Sequence, residues 1–116
     1  MHAIEILHLS LGDCMKLVTL AITAAGLIFG AQAMASQELA QKNACMACHQ
    51  VDKKVVGPSL KDIAAKYKGD KAAEANLVKK VKEGGKGVWG EIPMPPNAHV
   101  KDEDIKAIVK WILTLK

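Results

Sequence analysis

Apolar side chains recur at helical spacing along the second half of the chain. The first such segment has apolar residues at positions i, i+3, i+4 and i+7, namely Leu60, Ile63, Ala64 and Tyr67. Pro58 is expected in the first turn of this helix, where proline is tolerated, and Gly69 is expected to end it. The pattern therefore predicts a helix between these two residues.

Two further segments show the same periodicity. A helix is predicted over about residues 71–83, where the inward positions are Ala73, Leu77, Val78 and Val81. Gly84 and Gly85 follow it as a stop signal. The last segment has the clearest apolar stripe, formed by Ile105, Ile108, Val109, Trp111, Ile112, Leu113 and Leu115. Acidic residues at its start suit the helix dipole, and we expect Asp102 to cap it.

A shorter helix is predicted over about residues 37–44, with Leu39 and Ala40 as its apolar contacts. Residues 84–97 hold four glycines and three prolines, which exclude a regular element there. Nothing alternates with strand period over a useful length. The pattern predicts an all-α domain of about four helices with one long loop, and such loops in small domains are usually functional.

The first third of the chain has a different pattern. Met15 and Lys16 precede an apolar run and then small residues at Ala33 and Ala35, an order typical of a cleaved export signal. The run is short against the ~20 apolar residues of a bilayer helix, so cleavage is favoured over a membrane anchor. We predict an upstream extension over 1–14 with translation starting at Met15, a signal peptide over 15–35 and a mature exported domain over 36–116. A cut after Ala33 is the second choice.

Composition indicates that something besides side chains reinforces this domain. At 81 residues, 36–116 is near the size at which a hydrophobic core alone gives marginal stability. The whole chain has one Phe, one Tyr and two Trp, and the predicted mature part has only Cys45 and Cys48, too few for a disulfide framework. A flat apolar cofactor would fill the core.

The charged residues suggest the kind of partner. Residues 36–116 carry fifteen lysines and no arginine against ten acids, a net charge of +5. Guanidinium groups and aromatic rings, which nucleic-acid recognition prefers, are scarce, so nucleic acid is excluded as a partner. A lysine-rich surface that steers towards an acidic protein is favoured.

The strongest chemical signal is Cys45-Met46-Ala47-Cys48-His49. Two cysteines at this spacing can bond the two vinyl groups of haem, and the adjoining histidine reaches the iron as an axial ligand. A thiol redox pair and half of a zinc site are the alternatives. The first lacks its alternating strands and helices, and the second would find only His99 as a further ligand, so covalent haem c is favoured.

The second axial position of the iron has four candidates: Met46, Met94, His99 or a lysine. Met46 lies inside the attachment motif, and His99 is expected to be exposed. Prolines flank Met94 on both sides and restrict its backbone, which lowers the entropy cost of holding its thioether at the iron. We select Met94, with ordinary core packing as the alternative.

Two further contacts follow from the chemistry of such a site. A histidine ligand normally donates its second ring proton, and Gly57-Pro58 is the nearest acceptor along the chain. Trp89 offers an indole N–H that a haem propionate can accept, with simple packing as its alternative.

Residues 36–116 resemble the short bacterial class I monohaem cytochromes c that serve periplasmic nitrite reductases and oxidases. Four motifs in this order carry the resemblance: Cys45-Met46-Ala47-Cys48-His49, Val56-Gly57-Pro58, Gly87-Val88-Trp89-Gly90 and Ile92-Pro93-Met94-Pro95-Pro96-Asn97. It implies a cytochrome c fold of about four helices wrapped around one covalently bound haem. One departure is visible, since the approach to the last helix is about one residue longer and Lys101 stands where the family has a serine cap.

The resemblance also implies roles for single residues. Cys45 and Cys48 would form the thioethers, and His49 and Met94 the axial ligands. The Pro58 carbonyl would accept from His49, Trp89 would bond a propionate, Asn97 would bond near the Met94 sulfur, and Lys80 would lie near a propionate.

We therefore expect a monomeric electron carrier that cycles its haem iron between Fe(III) and Fe(II), and not an enzyme. Its partners would be acidic periplasmic redox proteins, such as a cytochrome donor and a nitrite reductase or oxidase acceptor, and no stable membrane insertion would follow cleavage. The alternatives are a haem-based sensor or peroxidase-like enzyme, and a thiol or metal module built on Cys45 and Cys48.

Overall fold

The computed structural model describes residues 30–116 of the chain. Its compact unit is Ala33–Lys116. The predicted extension over 1–14, and the predicted signal peptide up to residue 29, lie outside the described residues. Within 30–116 the chain forms four α-helices and one short 3-10 helix without a β-strand, so the predicted all-α class is confirmed. No helix of this part is long and apolar enough to cross a membrane.

Helix α1 occupies residues 30–42 and leads into a 3-10 helix at Cys45–Ala47. It starts earlier than the predicted helix and ends two residues sooner. The reason for the early end is local, because Ala44 adopts a left-handed conformation with φ 60° and ψ 15°, which a helix cannot continue through. The cut predicted before Ser36 falls within this helix and stays a prediction.

Helix α2 spans Leu60–Lys66. Its N-cap is Ser59, a buried hydroxyl that accepts a hydrogen bond from the Asp62 amide at 3.1 Å. Pro58 therefore lies just before the cap and not in the first turn, where we had expected it. Gly69, with φ 80°, follows the last turn as predicted.

Helix α3 spans Ala73–Glu83 and ends at Gly84, whose φ of 71° terminates the helix. Its predicted inward face is confirmed. Ala73 is buried, and Leu77, Val78 and Val81 pack against apolar side chains of the last helix and the residues before it.

Helix α4 spans Asp102–Leu113. The expectation that Asp102 caps it is wrong, because the N-cap is Lys101 and no side chain caps the helix. Asp102 is the first helical residue, and its carboxylate pairs with the ammonium of Lys82 on α3. Lys82 also donates to the Val100 carbonyl at 3.3 Å, so it joins α3 to the start of α4.

Helix α4 is the centre of the packing, since both α2 and α3 pack against it. One apolar cluster comprises Ala40, Leu60, Ile108, Trp111 and Ile112. The second comprises Val100, Ile105 and Val109. Burying two sides of one helix leaves the space between α2, α3 and the loop that follows α3 to be filled by something else.

Candidate haem-binding site

A cavity of about 320 Å³ occupies that space. Its walls are mainly apolar side chains of the three helices and Tyr67, the C-cap of α2: Leu60, Ile63, Leu77, Val81, Ile105, Ile108, Val109 and Ile112. All eight residues that the sequence singled out line it: Cys45, Cys48, His49, Pro58, Lys80, Trp89, Met94 and Asn97. An apolar cavity with a few convergent polar groups is the usual form of a cofactor site.

Cys45 and Cys48 lie on the 3-10 helix and its C-cap, half buried at the cavity wall with free thiols. The backbone N–H groups of Cys48 and His49 both donate to the Cys45 carbonyl, at 3.3 and 3.0 Å, which makes the turn compact. Burial raises the pKa of the Cys45 thiol. A reactive redox thiol needs the opposite shift, so this site does not favour the thiol alternative.

A zinc site is not favoured either. Among residues 30–116, no group of three or more His, Cys, Asp or Glu side chains is placed to hold a metal ion. His99, the one further histidine considered as a ligand, is exposed.

The His49 ring is fixed by two neighbours. Its Nδ1 lies 2.8 Å from the Pro58 carbonyl oxygen, and because a carbonyl only accepts, Nδ1 carries the proton and donates. The Nε2 lone pair is then available to a metal. Gly57 lies against the ring, since a Cβ built there would come 2.5 Å from Cε1 and 2.8 Å from Nδ1.

Met94 is half buried in the loop and fixed through its backbone. Its N–H donates to the Gly85 carbonyl at 2.8 Å, and the Gly85 N–H donates to the Met94 carbonyl at 3.0 Å. Gly84 lies against the same segment, because a Cβ there would come 2.9 Å from the Pro96 nitrogen. The rival ligand Met46 instead packs against the first apolar cluster.

Asn97 connects the end of this loop to α3. Its side-chain amide donates to the Val81 carbonyl at 3.2 Å and to the Pro95 carbonyl at 3.1 Å. Its backbone N–H also donates to Val81. The bonds that the structure shows are thus to main-chain carbonyls, and the expected contact with the Met94 sulfur stays a prediction.

Trp89 and Lys80 lie where the loop borders the cavity. Trp89 is 42% exposed, and the Lys66 ammonium lies 5.3 Å from the centroid of its ring. The Lys80 side chain lies against Gly85, since a Cβ on that glycine would come 2.7 Å from the Lys80 Nζ. Both side chains line the cavity, and their contacts with haem propionates stay predictions.

Three residues in or beside the site have roles that the sequence did not indicate. Gly57 was noticed only as part of a motif, and Gly84 only as a helix stop. The close approach of another residue to each glycine has no signature in a single sequence. Lys66 is one of fifteen similar lysines, and its place over Trp89 depends on tertiary structure.

The donor set fits haem: two adjacent thiols, an oriented imidazole and a thioether line one apolar cavity. Fold and site together define a small all-α haem protein of the c type. The chain belongs to the cytochrome c family, whose family profile, Cytochrome c, matches residues 33–116.

Known proteins agree with this assignment. Cytochrome c-552 of Nitrosomonas europaea is 57% identical over 93 residues, which cover 80% of this chain and 90% of the relative. Cytochrome c-551 of Pseudomonas aeruginosa is 46% identical over 100 residues, covering 86% and 95%. The crystal structure of wild-type Nitrosomonas europaea cytochrome c552 matches with a TM-score of 0.67 at 61% identity, covering 69% of this chain and 99% of that one.

The predicted function class is therefore confirmed. The protein is an electron carrier of the small class I type with one covalently attached haem c, and not an enzyme. It exchanges electrons with other redox proteins. The sensor, peroxidase, thiol and metal alternatives are not favoured.

Proposed function

We propose that Cys45 and Cys48 form the two thioethers, that His49 and Met94 are the axial ligands, and that the protein shuttles single electrons between periplasmic redox proteins. The observation that carries this proposal is that all four side chains line one apolar cavity. Haem iron, when bound, supplies the one-electron Fe(III)/Fe(II) couple.

The residues around the ligands restrict their movement and keep water out. Pro58 holds the His49 ring in the tautomer that leaves Nε2 free, and the backbone pair with Gly85 holds Met94. A thioether ligand raises the reduction potential relative to a second histidine and closes the iron to oxygen. Fixed ligands also reduce the reorganisation that each electron transfer requires, which suits a carrier.

Three more residues complete the proposed site. Trp89 and Lys80 would meet haem propionates at the cavity border, and Asn97 would act on Met94 by fixing the loop that carries it. Asn97 connects that loop to α3, so a contact of its amide with the sulfur would need one of the two carbonyl bonds to open.

Docking would use the exposed border of the cavity. Val56, Val88 and Ile92 line the cavity and are also exposed, and Lys54 and Lys86 lie beside them. An apolar centre with lysines around it suits a partner that presents an apolar contact ringed by carboxylates. We propose a cytochrome as donor and a nitrite reductase or oxidase as acceptor.

We further propose export by the segment 15–35 and a mature protein over 36–116, with translation starting at Met15. The charged start, apolar run and small residues support this proposal. N-terminal sequencing of the exported protein tests the cut, and Met15→Ala tests the start, because expression that survives this change would contradict it.

The ligand assignment is tested with two methionine variants of the same kind. Met94→Leu should abolish the sulfur-to-iron absorption band near the red end of the ferric spectrum, whereas Met46→Leu should keep it. A band that survives Met94→Leu would overturn Met94 as ligand. High-spin iron that readily binds carbon monoxide in the unmodified protein would overturn the ligand pair.

Haem attachment and docking have separate tests. Haem should stay with the polypeptide in acidic acetone, and Cys45→Ser with Cys48→Ser should release it.

Electron-transfer rates with a purified periplasmic nitrite reductase should fall as salt rises, because salt screens the lysines. Lys54→Gln should slow them more than Lys79→Gln, an exposed lysine that does not line the cavity. Equal effects would contradict the proposed docking surface.

A further inference from the structure

Lys66 contacts the loop that covers the cavity without lining the cavity itself. It lies in the last turn of α2, the helix that contributes Leu60 and Ile63 to the wall. Its ammonium lies 5.3 Å from the centroid of the Trp89 ring, within the range of a cation–π interaction. The contact therefore connects a packed helix to the border of the site.

The charge of Lys66 is well placed for this contact. The C-terminal end of a helix favours a cation. Among residues 30–116, the lysines within ion-pair distance of a carboxylate are Lys61, Lys82, Lys86 and Lys110, so Lys66 has no carboxylate partner there. No such partner draws its ammonium away from the ring.

The hydrogen bond and the ion pair of the turn that carries Trp89 both stay within the turn. Gly87 donates to the Gly90 carbonyl at 2.8 Å, and both glycines have positive φ. A Cβ on either glycine would meet no atom within 4 Å, so neither glycine packs against a helix. The ion pair between Lys86 and Glu91 stays within the same turn and does not connect it to a helix.

We propose that Lys66 is a positioning residue for Trp89, which holds the indole at the cavity border so that its N–H stays available to a haem carboxylate. This inference deepens the proposed function and rests on it in one point, the use of the indole N–H by a propionate. Lys66 acts through Trp89 and does not itself touch the cofactor cavity.

The test uses the ¹⁵N-labelled ferrous holoprotein and three lysine variants. Lys66→Gln removes the cation, Lys66→Arg keeps it, and Lys79→Gln makes the same charge change at an exposed site on α3. Hydrogen exchange at the Trp89 indole N–H should quicken by roughly two- to fivefold in Lys66→Gln, as expected for loss of one cation–π contact. It should stay near the unmodified rate in the other two variants.

The buried Trp111 indole is an internal reference, because its exchange follows opening of the core. If Trp111 quickens in parallel, Lys66 is only structural and the inference is wrong. The inference is also overturned if Lys66→Gln changes Trp89 no more than Lys79→Gln does.

The reduction potential gives a second readout. Losing a nearby cation should lower it, and Lys66→Gln should lower it more than Lys79→Gln. If Lys66 acts through the indole, the shift should be smaller in a Trp89→Leu background, since distant charge alone then remains. Equal shifts in both backgrounds would contradict a positioning role.

Failure of this inference can be told apart from failure of the proposed function. The Lys66 side-chain methylene protons should be shifted upfield by the indole ring in the unmodified protein, whatever accepts the indole proton. Absence of that shift overturns the Lys66 contact. If the shift is present but the Trp89 N–H exchanges as fast as free indole, the propionate bond of the proposed function fails, and with it the purpose assigned to Lys66.

Discussion

Gly85 and Met94 exchange two backbone hydrogen bonds, of 3.0 Å from the Gly85 N–H and 2.8 Å from the Met94 N–H. Gly85 comes two residues after the end of α3, so the proposed sulfur ligand is held by the main chain close to a packed helix. The position of the thioether thus depends on how α3 ends. Substitution of Gly84, which precedes Gly85, tests that dependence.

Gly84→Ala should displace the Met94 segment. The substitution meets two obstacles, a φ of 71° and a Cβ that would come 2.9 Å from the Pro96 nitrogen. With ψ −167°, Gly84 occupies a backbone region that is essentially restricted to glycine, and this conformation alone costs another residue about 1–3 kcal/mol. We expect a larger fall in unfolding free energy, measured with urea, and a weakened sulfur-to-iron band.

Gly69→Ala is the control for the positive φ of Gly84. Gly69 has a similar φ of 80°, but a Cβ there would meet nothing within 4 Å. It should show the backbone cost of about 1–2 kcal/mol with an unchanged absorption band. If the two variants lose equal stability and both keep the band, the contact between Gly84 and the Met94 segment does not hold the sulfur ligand in place.

Gly57→Ala should move the His49 ring. A Cβ at 2.5 Å from Cε1 is about 1 Å inside an ordinary carbon contact, and the ring must shift away from it. We expect a loss of about 1–3 kcal/mol, as for other overpacked sites, and a changed haem spectrum.

The neighbouring change Pro58→Ala serves as comparison, because it keeps the carbonyl that accepts from His49. It should cost about 0.4–1 kcal/mol, mostly through the unfolded chain, and leave the spectrum as it was. A normal spectrum in Gly57→Ala would show that the ring tolerates the shift.

The periodic helices were predictable because apolar residues such as Leu77, Val81, Ile105 and Ile112 recur at helical spacing. Each such series marks the face that the helix buries when it packs. The end of α1 was not, since Ala44 has no preference for the left-handed conformation that stops the helix. The side-chain amide of Asn43 shares the Leu39 carbonyl with the Asn43 backbone N–H, a local contact that periodicity does not detect.

The site divides in the same way. Cys45, Cys48 and His49 are adjacent in sequence, so their chemistry is readable without a structure. Gly57 lies against the His49 ring, and Lys66 lies over the Trp89 ring. Both contacts depend on tertiary packing, so a single sequence does not indicate them. Asn97 was predicted to bond near the Met94 sulfur, whereas the partners that the fold gives its amide are two main-chain carbonyls, which the sequence does not indicate.

The ion pair between Lys82 and Asp102 should make stability depend on pH in the acid range. The hydrogen bond and charge of Lys82 lower the pKa of Asp102 below its ordinary value of 3.8. Because the folded-state pKa is the lower one, the contribution of the pair is complete above about pH 4 and is lost as the pH falls through the folded value.

Asp102→Asn should therefore be less stable than the unmodified protein at pH 7 and low salt, and the difference should shrink below pH 4 and with added salt. Urea unfolding at several pH values measures it. Glu103→Gln, in the same first helical turn but without the Lys82 bond, controls for the helix dipole. If both variants show the same pH dependence, the pair with Lys82 is not its source.

The uncapped start of α4 predicts a stabilising substitution. Lys101 has φ −62° and ψ 142°, almost the conformation of Ser59, with φ −64° and ψ 150°, which caps α2 through its hydroxyl. A serine at 101 should accept from the Asp104 amide as Ser59 accepts from Asp62 at 3.1 Å. Lys101→Ser should raise the unfolding free energy by about 0.5–2 kcal/mol.

Removing the lysine has an effect of its own, because a cation at a helix N-terminus is unfavourable. Lys101→Ala isolates that effect, since it loses the charge without supplying a cap. Lys101→Ser should exceed Lys101→Ala by about 1 kcal/mol, and Ser59→Ala should lose a similar amount at α2. Equal stability of the two Lys101 variants would mean that the hydroxyl finds no free amide, and that the longer approach to α4 prevents capping despite the matching dihedral angles.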